Sequence, residues 1–189
     1  MRFVAQTSLP PGEPYESFIF RTRTCPTRGN AHDFFNGLAW IAFPGEKASL
    51  NELQAAEIAR DGIASARGPV RDAVTVFDEN GAFLDAPAVL WDALRARDWK
   101  RLFVELRPLW NGATVTIFGH AMLEKLLSPR KDLTAHIWCG GPAFTREGLA
   151  AKPFAPLPLM GIPGWCQGNE GVSFYDDPLV FRSRIKELG

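Results

Sequence analysis

Asn30-Ala31-His32-Asp33-Phe34-Phe35-Asn36-Gly37-Leu38-Ala39-Trp40-Ile41-Ala42-Phe43 is apolar along most of its length, and Pro44-Gly45 stops it. This run predicts a helix over residues 31–43, with Asn30 as its N-cap and Asp33 close to the acid position of a capping box. Phe34, Phe35, Leu38, Trp40, Ile41 and Phe43 spread around the whole circumference. That is the pattern of a buried helix, so this one is expected at the centre of the fold. Its polar side chains, His32, Asp33 and Asn36, share one edge at helical spacing. Polar groups on such a helix need partners, supplied either by nearby backbone or by a site.

Working outward, Arg2 to Gln6 and Tyr15 to Arg21 read as strands, and residues 22–29 as a loop. A second helix is expected over Glu46 to Ala64, broken by Arg67-Gly68-Pro69. Asp72 to Phe77 reads as a strand because Val74, Thr75 and Val76 are β-branched. Asp78-Glu79-Asn80-Gly81 is turn chemistry, with a return arm at Ala82-Phe83-Leu84. Helices follow to about Arg97 and, from Asp98, through Leu106. Ala113 to Phe118 reads as a strand, Gly119 leads into a helix through Leu127, and Leu133 to Trp138 is a further strand. Residues 140–171, dense in Gly and Pro, are expected to wrap the body as an extended arm. The expected fold is α+β, one domain over residues 1–189. It has a mixed sheet of about four to six strands and about four to five helices.

Bulk composition narrows the function classes. Lys and Arg together number 21, matched by 21 Asp and Glu, so there is no global charge to draw a polyanion, and strong nucleic-acid binding is not expected. Cys25, Cys139 and Cys166 are odd in number and lack Cys-x-x-Cys spacing, which favours reduced thiols in a cytoplasmic protein. Met1-Arg2-Phe3-Val4-Ala5-Gln6 lacks the apolar segment of a signal peptide, and no stretch has the length of a membrane span. Gly-x-x-x-x-Gly-Lys-Ser/Thr, Gly-x-Ser-x-Gly and His-Glu-x-x-His are all missing.

The chemistry-bearing residues form short clusters. His120 directly follows a strand and Gly119, which puts it at a helix N-terminus, where a neutral imidazole is favoured. Glu124 lies one turn on, so the two suggest a ligand pair or a His–carboxylate dyad; the competing reading is a polar stripe with a capping His. Asp78 and Glu79 also follow an inferred strand. If that strand and 113–118 are parallel neighbours the clusters meet, and if they are antiparallel they separate. His136 lies on a strand, with Cys139 pointing away from it. Arg21, Arg23, Arg28, Arg67 and Arg71 come from separate loops and offer an anion pocket only if they converge.

Several motifs together resemble one known family. Gly29-Asn30-Ala31-His32-Asp33-Phe34-Phe35-Asn36 is similar to the opening signature of an uncharacterised bacterial family, domain of unknown function 3025. So are Arg67-Gly68-Pro69-Val70-Arg71-Asp72, Phe77-Asp78-Glu79-Asn80-Gly81, Phe118-Gly119-His120-Ala121-Met122-Leu123-Glu124, Thr134-Ala135-His136-Ile137-Trp138 and Phe174-Tyr175-Asp176-Asp177. The resemblance implies no reaction, cofactor or fold, so chemistry rests on the residues.

From those residues the expectation is a small enzyme of hydrolase or transferase type acting on a small molecule. His120 serves as base or metal ligand, Glu124 orients it, and His32 with Asp78 or Glu79 completes the site. If an ion binds, His120, His32 and His136 favour Zn, Mn or Fe over Ca or Mg, and the cysteines are not ligands. The alternative is a non-catalytic binding module that meets another protein through Trp110, Trp165 and the 140–171 arm.

Overall fold

The computed structural model describes residues 1–62 and 68–184. Its elements mix helices and strands, with three helices in succession over residues 31–80. β1 (Arg2–Ala5) pairs in parallel with β2 (Thr24–Thr27) in a two-stranded sheet. Between them lies α1 (Tyr15–Thr22). The expected strand at 15–21 is therefore a helix, and the expected loop at 22–29 holds β2. Tyr15, Phe18, Ile19 and Thr22 recur at helical spacing, and this face packs on α3 (Pro44–Asp61). The close of the expected second helix, with Arg67, lies outside the described residues.

α2 (Ala31–Ala42) forms where its sequence places it, and Asn30 Oδ1 caps the Asp33 amide at 2.8 Å. It is not buried all round. Asp33, Asn36, Ala39 and Trp40 face inward, whereas Phe34 and Ile41 are 61% and 66% exposed and Leu38 is 40% exposed. The polar edge is inside and an apolar face is outside, the reverse of an ordinary surface helix.

Residues 69–80 correct a second expectation. They form α4 (Pro69–Asn80), not a strand and a turn. Val70, Ala73, Val74 and Phe77 fall at i, i+3, i+4 and i+7 and are fully buried, so helical periodicity overrides the β-branched run. Pro69 occupies the first turn, where its missing N–H costs nothing.

α4 runs straight into β3 (Gly81–Asp85), the start of a mixed four-stranded sheet in the order β4-β3-β5-β6. β4 (Thr114–Ile117) is antiparallel to β3, β5 (Thr134–Trp138) is parallel to it, and β6 (Phe154–Pro158) is antiparallel to β5. The expected 140–171 arm thus contributes a short helix, α7 (Arg146–Ala150), and an edge strand of the sheet. Pro156 and Pro158 sit on that edge strand, where no further ladder is needed.

One sheet face carries Ala82, Leu84, Ala135, Ile137, Ala155 and Leu157 against α5 (Ala88–Ala96), a π-helical turn at Arg101–Glu105, and Trp110. Trp110 is 7% exposed and donates its indole N–H to Leu102 O, so it is core and not contact surface. The opposite face packs Phe83, Trp138 and Phe154 against α4, where Phe77 stacks on Phe118 and Phe154. α6 (His120–Lys125) closes the gap between the sheet and α2.

Candidate functional site

His120 reaches the site through one close approach. β4 ends beside the start of β3, and the amides of Phe118 and Gly119 both donate to Gly81 O, at 3.0 and 2.8 Å. A Cβ on Gly119 would lie 2.5 Å from the backbone of Glu79 and Asn80, so only glycine lets the chains touch here. His120 follows at once, 4% exposed, under the last turn of α4. Its Nδ1–H donates to the Asp78 carbonyl at 2.8 Å, one of the C-terminal carbonyls that lack an intrahelical partner. A carbonyl only accepts, so Nδ1 carries the proton and Nε2 presents a lone pair.

His32, from the first turn of α2, arrives from the other side. Its Nδ1 lies 3.2 Å from Glu124 Oε2 on α6; a carboxylate oxygen accepts, so the His32 Nδ1–H donates to it. The two histidine Nε2 atoms then face each other at 3.0 Å, with ring planes crossed at 69°. Glu79 Oε1 lies 3.7 Å from His120 Nε2. One donor atom from each of His32, Glu79 and His120 falls within 4.8 Å of the others. Burial pushes the His120 imidazole below its ordinary value; the Asp78 and Glu79 charges oppose this, and the Lys47 charge adds to it. The ring is held neutral, the state that ligates or accepts a proton.

Beneath the histidines is a buried polar network. Lys47 on α3 is 4% exposed, and its Nζ donates to Asp78 Oδ1 at 2.6 Å and Asn36 Oδ1 at 2.8 Å. Asn36 passes its amide N–H to Tyr15 Oη at 3.1 Å, and Tyr15 Oη meets Cys25 Sγ at 3.1 Å. Burial raises both the Tyr15 hydroxyl and the Cys25 thiol, so both stay protonated. Asp33 turns to Arg28, accepting from its backbone N–H at 2.6 Å and from its guanidinium at 2.9 and 3.0 Å. Apart from Cys25, these side chains line a cleft of about 370 Å³ between α1, α2, α3 and α4, together with Glu16, Asn51, Gln54, Glu79 and His120.

His32, Asp78, Glu79, His120 and Glu124 therefore come together. The route differs from the one expected. β3 and β4 are antiparallel, yet the clusters meet because Asp78 and Glu79 precede β3, so the end of β4 arrives beside them. Glu124 orients His32, not His120, and the orienting acceptor of His120 is a backbone carbonyl. His136 stays apart: it projects to the α4 side of the sheet with its ring 5.9 Å from that of Phe154, outside the donor cluster. Arg21 pairs with Glu13 and Arg28 with Asp33, so these two do not converge on an anion pocket, and Arg67 lies outside the described residues. Cys25 bonds Tyr15, and none of the cysteines is in the donor cluster. Lys47 was not foreseen. Its signal was present: Lys47, Leu50, Asn51 and Gln54 share one buried helix face, and a lysine there needs a buried anion.

With this geometry in place, the chain belongs to the family described as Protein of unknown function (DUF3025), whose model matches residues 1–143 and 143–184. No curated protein and no solved structure matches it.

Proposed function

We propose that this member of the DUF3025 family is a metal-dependent enzyme of hydrolase or transferase type, with His32 Nε2, His120 Nε2 and Glu79 as its three protein ligands. The observation that carries this reading is the pair of opposed Nε2 atoms. Both Nδ1 protons are already committed, to Glu124 and to the Asp78 carbonyl. Two neutral rings would therefore point lone pair at lone pair across 3.0 Å, which is repulsive unless a cation or a proton lies between them. Two imidazoles bound about 2.1 Å from one ion at roughly 90–109° hold their nitrogens about 3.0–3.4 Å apart. The observed spacing fits that range. Glu79, a third exposed and 3.7 Å from His120 Nε2, would complete the set. Imidazole–carboxylate ligation suits Zn, Mn or Fe(II), and a three-residue set leaves positions open for substrate or water.

Such an ion supplies Lewis acidity and a water acidified toward neutral pH. The protein's own residues do the rest. Glu124 and the Asp78 carbonyl fix ring orientation and tautomer, as outer partners of ligating histidines do. Lys47 and Asn36 hold Asp78, and the cleft admits a small molecule. A metal-free reading follows from the same contact: His32 as imidazolium would share a proton with neutral His120, giving an acid–base pair.

Elemental analysis of purified protein decides between them. Near-stoichiometric transition metal is expected, lowered by His32→Ala and by His120→Ala and unchanged by Cys139→Ala. Full retention of metal by a folded His32→Ala, His120→Ala double variant would sink the metal site. Absence of metal from the folded wild type would favour the proton-sharing pair.

A further inference from the structure

The outward face of α2 carries Phe34, Leu38 and Ile41, a stripe about 10 Å long at 1.5 Å per residue. With Phe3 from β1 it lines a groove of about 610 Å³, together with Gly29, Asn30 and Gly37. That size is in the range of small-molecule sites. The four apolar side chains offer on the order of a few hundred Å², well short of the roughly 800 Å² per partner of a stable protein interface. The groove also adjoins the cleft: Arg28 and Asp33 stand in the walls of both. This ion pair is internally neutralised, with the Arg28 side chain 60% exposed at the boundary.

We propose that the groove takes the aliphatic chain of a small amphiphile whose polar head passes Arg28 and enters the cleft. This rests on the reading of the cleft as the place of chemistry and adds its substrate class: a straight-chain acyl compound with an acid, ester or amide head. The inverted polarity of α2 then has one cause. Its inner edge binds the polar end of the ligand and its outer face the apolar end. The chain replaces water over Phe34, Leu38 and Ile41, which favours longer chains at up to about fourfold per buried methylene.

The test is calorimetric titration of metal-free protein with acetate, hexanoate and decanoate, with the His32 and His120 ring resonances followed by NMR. Affinity should rise about two- to fourfold per methylene from hexanoate to decanoate, and decanoate should move both rings. Ile41→Asp, at a side chain 66% exposed and so compatible with folding, should lower decanoate affinity at least tenfold with thermal unfolding unchanged. Affinity independent of chain length overturns the proposal. So does decanoate binding that leaves both rings unmoved, or that survives Ile41→Asp and Phe34→Asp intact. Metal content of the protein as purified, measured before the metal is stripped for titration, reports separately: wild type purified without metal but with chain-dependent ring shifts removes the metal reading alone, and full metal with a flat chain series removes this proposal alone.

Discussion

At Gly119 one missing methyl group decides whether the site exists. The Glu79 and Asn80 backbone lies where a Cβ would project, at 2.5 Å. Gly119→Ala must push β4 and α6 away from α4, and His120 moves with them. A cost of about 1–3 kcal/mol in urea unfolding is expected, as for overpacked cores, together with lower metal content. Gly45→Ala is the control: nothing lies within 4 Å of its added Cβ, and its helical backbone suits alanine, so about 0.4–1 kcal/mol of stabilisation is expected. Asp33 sets the acid response of the same region. Hydrogen bonds from the Arg28 side chain hold its carboxyl below the ordinary 3.8, and burial opposes them. The folded state thus prefers the ionised form, and the stability it adds is complete above 3.8 and is lost as pH falls through the lowered folded value. Wild type should therefore exceed Asp33→Asn in stability at pH 7 and pH 5, with the gap closing in more acidic buffer. A gap that instead widens on acidification would contradict this.

Among the elements, α2 and α4 show what a sequence reveals and what it hides. The polar residues that cluster here, His32, Asp78, Glu79, His120 and Glu124, stand out in the sequence as candidates, whereas Lys47 beneath them does not and His136, also a candidate, lies outside the cluster. The pairing within the cluster was not legible, because it depends on where α4 stops. Val74-Thr75-Val76 favours a strand locally, while Val70, Ala73, Val74 and Phe77 favour a helix over a longer span, and burial of that whole stripe outweighs a propensity difference of a few tenths of a kcal/mol per residue. Periodicity likewise identified α2 as a helix but not which face is covered, since apolar residues surround it; tertiary contacts with α6 and the Lys47 network select the polar edge as the inside. The start of α2 is set by Asn30, whose Oδ1 holds the Asp33 amide. Asn30→Ala should cost about 1 kcal/mol in thermal or urea unfolding. Because His32 sits in that first turn, fraying there should also weaken metal retention, whereas a cap far from the site, Thr145 on α7, should affect stability alone.

Across the whole molecule, the sheet separates two apolar layers, and the site lies where the helices of one layer meet the end of β4. The helical layer is held to the sheet chiefly through Phe77. It is fully buried, stacks on Phe118 at 5.0 Å and on Phe154 at 5.7 Å, and meets Phe83, Trp138 and Phe144 edge-on or tilted. These rings come from β3, β6, the end of β5 and the chain on either side of them, so one side chain ties α4 to most of the sheet. Asp78 and Glu79 are the next two residues along the chain after Phe77. Phe77→Ala removes a large ring from a site that cannot collapse, because its neighbours are fixed by strand ladders. A loss of about 3–5 kcal/mol is expected. Phe77→Leu keeps much of the volume and should cost less. The site should respond in the same order, since the Asp78 carbonyl that orients His120 is placed by α4. Phe34→Ala removes an equal ring from the exposed face of α2 and should change unfolding by no more than about 0.5 kcal/mol. Comparable losses at Phe77 and Phe34 in chemical denaturation would mean that the outward face of α2 is covered in solution and that the groove is not open to a ligand.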